Sequence, residues 1–201
     1  LLIAKEVGDR HGEGRWLGNL GSIYVNLGEH SKGINYYEQG LRSAREMGNQ
    51  QEEGIWLNNL GISHATIGLY PQSIHYFGQA LLIAQEIGDR SGEGNRLANL
   101  GSAHNALGQY PQAIDYYQQA LRIVREIGDR QGEGQILGNL GNAYAHLGEA
   151  PQALDYYQRA RAVFVELDVP FLVNWADEQI AGLENTSFDS AEGGWDVINT
   201  L

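Results

Sequence analysis

Asparagine stands at positions 19, 59, 99 and 139, each time in the string Asn-Leu-Gly, and the interval is 40 residues. A carboxamide offers one acceptor and two donors, so it can pair with both the C=O and the N–H of an extended backbone. A column of such groups points to the chemistry of holding a main chain. Asparagine is also a mediocre residue inside a helix, being better suited to caps and turns. Its neighbours differ from copy to copy: Arg15, Ile55, Asn95 and Gln135 form one column, Ser22, Ile62, Ser102 and Asn142 a second, and Asn26, Thr66, Ala106 and His146 a third. A residue kept while its surroundings drift is expected to have a role. Two other origins are a structural bond to the next repeat and inheritance through duplication alone.

Other groups with chemical potential have plainer readings. Gly12-Glu13-Gly14 followed by Gly18 has the look of a phosphate-binding loop, but no strand precedes it and the motif recurs along the chain. His64 and His104 occupy a column held elsewhere by Tyr24 and Tyr144, which suits packed, hydrogen-bonded imidazoles. Their spacing does not converge enough ligands for a metal. The pairs Tyr36-Tyr37, Tyr116-Tyr117 and Tyr156-Tyr157, with Tyr76-Phe77, are expected to pack, one ring toward the hairpin core and the other near the adjacent repeat. Trp16 and Trp56 are expected to stack between repeats. No cofactor and no catalytic residue is expected.

The elements that carry these columns follow from the apolar period. Leu17, Leu20, Tyr24 and Leu27 recur as Leu57, Leu60, His64 and Ile67 and again as Leu97, Leu100, His104 and Leu107, which is one amphipathic helix, A. A second, B, carries Ile34, Tyr37, Leu41 and Ala44, echoed by Ile74, Phe77, Leu81 and Ala84. Asp9, Asp89 and Asp129 are placed to cap helix A, Gly28, Gly68, Gly108 and Gly148 to end it, and Pro71, Pro111 and Pro151 to open helix B. Gly21, Gly61, Gly101 and Gly141 lie beside the apolar stripe and are assigned to close helix packing against small residues of helix B. At 100° per residue, Asn19 lies about 200° from Leu17, so the asparagines cannot belong to the core of their own hairpins.

The pattern Leu-Gly-x-x-Tyr-x-x-x-Gly, followed by an aromatic residue between small ones, resembles the tetratricopeptide repeat. Gly-Asp-Arg-x-Gly-Glu-Gly and Asn-Leu-Gly-x-x-Tyr at this longer period resemble the 40-residue variety of the Pins/LGN scaffold family and of bacterial multidomain regulators. The resemblance implies an all-α, right-handed superhelical solenoid of antiparallel helix hairpins with a C-terminal capping helix. It also implies that Asn19, Asn59, Asn99 and Asn139 line a concave surface of stacked A helices and hold ligand backbone there. Selectivity would then come from Arg15, Ser22, Ile55, Asn58, Ile62, Asn95, Ser102, Asn105, Gln135, Asn142 and His146, a mostly neutral lining with an apolar patch. Arg15 is the clearest cation in it, which disfavours a strongly acidic ligand.

The expected division is residues 1–8 as half of a preceding repeat, repeats at 9–48, 49–88, 89–128 and 129–167, a capping helix at 168–184 and a loosely ordered acidic tail at 185–201. Because Leu1 to Arg10 matches Leu81 to Arg90, the chain is expected to be a fragment of a longer array. The net charge is −12, and the seven carboxylates from Asp168 onward account for all but −5 of it. Nucleic acid requires a basic stripe to displace counterions, and an anionic membrane surface attracts cations, so neither is an expected partner. The absence of cysteine, of a signal peptide and of a long apolar run fits a soluble cytoplasmic chain. The expected function is a non-enzymatic scaffold that takes an extended peptide segment. The alternative is self-assembly, with the tail or an exposed terminal helix contacting its own or a neighbouring chain.

Overall fold

Asn49, Asp89 and Asp129 each accept a backbone N–H three residues on, from Glu52 at 3.1 Å, Gly92 at 2.8 Å and Gly132 at 2.9 Å. These caps fix where the A helices begin, because they satisfy donors the first helical turn leaves open. The computed structural model describes residues 10–192, with side chains from 12 to 184 apart from that of Arg15. The expected half-repeat at 1–8, the Asp9 cap and the end of the tail from 193 to 201 lie outside the described residues.

Among the described residues there are helices only: α1 (Arg10–Asn26), α2 (His30–Met47), α3 (Gln50–Thr66), α4 (Tyr70–Glu86), α5 (Arg90–Ala106), α6 (Tyr110–Glu126), α7 (Arg130–His146), α8 (Ala150–Glu166) and α9 (Pro170–Glu192). The A helices are α1, α3, α5 and α7. This is the all-α solenoid class that the repeat implies. The last helix runs on to Glu192, beyond the expected end at 184. No glycine or proline occurs between Asn185 and Glu192, so nothing breaks it before Gly193-Gly194.

The chain divides into two compact units, residues 1–123 and 124–201, with the division inside α6. In the first, each of α1 to α4 packs on the next, and α3 also touches α5. In the second, α7 packs on α8 and α8 on α9. The period of the sequence reappears as depth: Leu17, Leu57, Leu97 and Leu137 are all buried, as are Gly40, Ala80, Ala120 and Ala160. Each buried leucine contributes roughly 1.5–3 kcal/mol.

The glycine column beside that stripe has a sharper purpose than helix approach alone. A Cβ on Gly61 would lie 2.5 Å from the Phe77 ring, and one on Gly141 would lie 2.5 Å from that of Tyr157. Tyr37 and Tyr117 sit in the same way over Gly21 and Gly101. Small residues do meet at Gly33, where a Cβ would come 2.9 Å from the Gly21 carbonyl oxygen. The glycines therefore seat the second ring of each aromatic pair. The first ring stacks outward within the hairpin: Tyr36 on Tyr24 at 5.3 Å and Tyr156 on Tyr144 at 5.3 Å between centroids.

The turns use the left-handed region. Gly68 has φ 77° and Gly88 has φ 71°, where a side chain would strain the backbone. Asp168, one period after Gly128, adopts φ 55° without being glycine.

Candidate binding face

The asparagine column does not have one environment. Asn99 Nδ2 donates to Asn58 Oδ1 at 3.0 Å, a bond from one hairpin to the next. Asn59 and Asn139 are half-buried and make no side-chain hydrogen bond with any described residue, whereas Asn19 is exposed. The reason lies in the column before it, which reads Gly18, Asn58, Ala98 and Gly138. The Trp56 indole lies on Gly18, where a Cβ would be 2.3 Å from the ring, and also packs against Gly40 and Tyr37. Trp175 lies on Gly138 in the same manner, at 2.8 Å, with its ring edge-on to Tyr157. In the third hairpin the place of Trp56 is taken by Arg96, and a carboxamide fits where an indole needs glycine. Arg96 donates to the Gly92 carbonyl at 3.3 Å while its buried Nε has no partner. Burial pulls its guanidinium below the usual value, with Asp89 acting in the other direction.

The column of Ser22, Ile62, Ser102 and Asn142 varies for a local reason. The Tyr37 hydroxyl lies 3.0 Å from Ser22 Oγ, Tyr117 donates to Ser102 Oγ at 3.1 Å, and Tyr157 donates to Asn142 Oδ1 at 2.8 Å. In the second hairpin both partners are apolar, Phe77 and Ile62. Burial raises the Tyr117 and Tyr157 phenols above their ordinary value, and the Ser102 bond opposes this for Tyr117. This coupling went unseen in the sequence, although Tyr and Phe alternate in step with the polar and apolar partner.

Two recesses gather part of the expected lining. Ile62, Asn99 and Ser102 border a cavity of about 220 Å³ with Thr66, Tyr70 and Phe77. Gln135 and Asn139 border one of about 300 Å³ with Gly138, Phe164, Phe171 and Trp175. Asn19, Ile55, Asn58, Asn59, Asn95, Asn105 and Asn142 border neither cavity, nor do Ser22 and His146. Asn105 Oδ1 is buried without a partner, and the Arg15 side chain lies outside the described residues. Phe171, 78% exposed, and Trp175 were legible only as parts of a cap.

Two overlapping matches to the tetratricopeptide repeat model cover residues 52–126 and 95–166, and a further match covers 16–47. The chain belongs to the tetratricopeptide repeat family. Solved structures with the same fold include Aspartyl phosphate phosphatase F from Bacillus subtilis, at 16% identity and TM-score 0.83, covering 92% of this chain and 49% of that one. A STAND protein with a tetratricopeptide repeat sensor from Pyrococcus horikoshii superposes with TM-score 0.81 at 17% identity, over 92% of this chain and 29% of that one. A Rap protein complexed with Competence and Sporulation Factor gives TM-score 0.72 at 16% identity, over 92% and 52%. This chain thus spans about half or less of each. No curated protein matches it.

The remaining motifs of this tetratricopeptide chain serve its hairpins. In Gly-Asp-Arg-x-Gly-Glu-Gly the aspartate caps, the first following glycine supplies the capped N–H, and the glutamate reaches the preceding B helix. Arg45 Nε donates to Glu53 at 2.7 Å, Gln85 to Glu93 at 3.0 Å and Arg125 to Glu133 at 2.7 Å, while Arg90 and Arg130 also pair with Glu93 and Glu133. The imidazole of His104 stacks on Tyr116 at 5.2 Å, that of His64 lies tilted against Tyr76 at 5.0 Å, and His64 Nδ1 meets the Leu60 carbonyl at 2.8 Å. Among the described residues no cluster of three His, Asp or Glu is arranged to hold a metal, and no helix is long and apolar enough to cross a membrane.

Proposed function

We propose that this chain is a non-enzymatic, cytoplasmic scaffold whose asparagine-bearing A-helix face binds an extended segment of a partner protein. One observation carries the reading: carboxamides of the column stand beside apolar recesses, Asn99 at one and Asn139 at the other. A polar group able to grip a peptide unit next to a well for a side chain is the minimal equipment for holding an extended chain. The structural neighbour complexed with Competence and Sporulation Factor supports it. Net negative charge favours a neutral or basic segment over an acidic one.

The test uses Asn59→Ala with Asn139→Ala, because neither side chain is bonded to a described residue. Binding to hits from a nonapeptide array should weaken by about 1 kcal/mol per lost bond, with helicity by circular dichroism unchanged. Full affinity in the folded double variant would reject the reading.

The self-assembly alternative is narrowed by α9. Seventeen residues separate Trp175 from Glu192, about 26 Å of helix at 1.5 Å per residue. Trp195 stands three residues further on, within roughly 11 Å of extended chain. A tail carrying Trp195 into the Trp175 recess would therefore come from a second copy, and sedimentation with and without residues 193–201 tests for it.

A further inference from the structure

We infer that the recess between α3 and α5 is a pocket for one branched aliphatic side chain, of the leucine, isoleucine or valine class, carried by the extended segment that Asn99 helps to hold. The inference rests on the peptide-binding reading and names the chemistry of its ligand.

The pocket originates in a paired change. In the other three hairpins a phenol hydroxyl on helix B reaches a polar residue on helix A, at Ser22, Ser102 and Asn142. In the second hairpin Phe77 has lost the hydroxyl and Ile62 the acceptor, and both line the recess. Removing donor and acceptor together leaves no orphan group, so the site stays apolar at no hydrogen-bonding cost. A volume of about 220 Å³ is below the roughly 300–1,000 Å³ of sites that enclose drug-sized ligands. It suits a single side chain.

The rim identifies what that side chain is attached to. Asn99 Nδ2 is tied to Asn58 Oδ1, which fixes the amide plane and leaves Asn99 Oδ1 and its second N–H for a ligand. A fixed acceptor and donor beside a carbon-lined well match the peptide group and side chain of one residue. No carboxylate, amine or guanidinium borders the recess, so a charged side chain would lose water without gaining a partner. A hydrocarbon chain alone would leave the Asn99 amide unpaired.

The probe is N-acetyl-leucine N-methylamide, titrated into the whole methyl-labelled chain and followed by nuclear magnetic resonance, with N-acetyl-alanine N-methylamide as the control. The comparison protein carries Phe77→Tyr and Ile62→Ser, which restores the tyrosine–serine pair of the first and third hairpins and should therefore fold. Saturable shifts at the Ile62 methyls and the Asn99 side-chain amide are expected with the leucine compound. They should be at least tenfold weaker with the alanine compound and in the double variant. Equal response to the two compounds, or an unchanged response in the folded double variant, overturns the pocket. A nonapeptide array probed in parallel separates the two levels. Leucine-rich hits that disappear in the double variant support both, and hits without aliphatic preference overturn the pocket alone. Titration by the leucine compound with no array hit overturns the peptide reading and its extended occupant.

Discussion

Asn99 donates its side-chain N–H to Asn58 across the junction of the second and third hairpins, at 3.0 Å. One member of the asparagine column is thus fastened to its neighbour, while Asn59 and Asn139 have no such partner among the described residues. The same residue type therefore meets two environments in one array. The bond forms where the preceding hairpin offers the Asn58 carboxamide; Asn59 and Asn139 follow hairpins that carry Gly18 and Ala98 at that position.

If that bond joins the hairpins, Asn58→Ala and Asn99→Ala should each lower stability by about 0.5–1.5 kcal/mol. Urea unfolding of both single variants and the double variant gives the coupling. Fully additive losses would show that the two carboxamides do not support one another.

The Trp56 ring leaves no room above Gly18, where a Cβ would come 2.3 Å from it. Gly18→Ala should cost about 1–3 kcal/mol through overpacking, despite alanine's better helix propensity. In a Trp56→Ala background the same change should become neutral or stabilising. A helix-propensity gain in both backgrounds would contradict the seating of the ring.

Asp168 is held at φ 55° in the place where the preceding period has Gly128. A left-handed conformation costs a side chain-bearing residue roughly 1–2 kcal/mol, somewhat less for aspartate. Asp168→Gly should raise the thermal midpoint by offsetting about 0.5–1 kcal/mol of that strain, and a lowered midpoint would reject the account.

Glu133 is the most buried carboxylate of the repeated clasp, with its side chain 8% exposed against 21% for Glu53. Both Arg125 and Arg130 bond to it. Glu133→Ala should cost about 1.5–3 kcal/mol, the range for hydrogen bonds to charged groups, and Glu53→Ala less. Equal costs in chemical denaturation would mean that burial does not strengthen the clasp.

Much of this fold is written locally. Asp89 and Asp129 act as caps, Gly68 and Gly88 take the turns, and Leu57 and Leu97 mark the core stripe, because each is decided by residues within a few positions. The candidate face is less legible, because its character depends on pairs 15 and 41 residues apart. Ser102 reads as a groove residue until Tyr117 bonds to it. Asn58 reads as a ligand contact until its side-chain oxygen accepts from Asn99 across the junction. The second cavity owes its wall to Phe171 and Trp175, on a helix where the period has already lapsed.

The seating of Trp56 on Gly18, and of Trp175 on Gly138, makes these two seams locks with their own keys. Recombination between copies that doubled the second hairpin would press an indole against the Asn58 carboxamide. A rearrangement that set this hairpin behind a copy of itself would cost the array stability at the new seam.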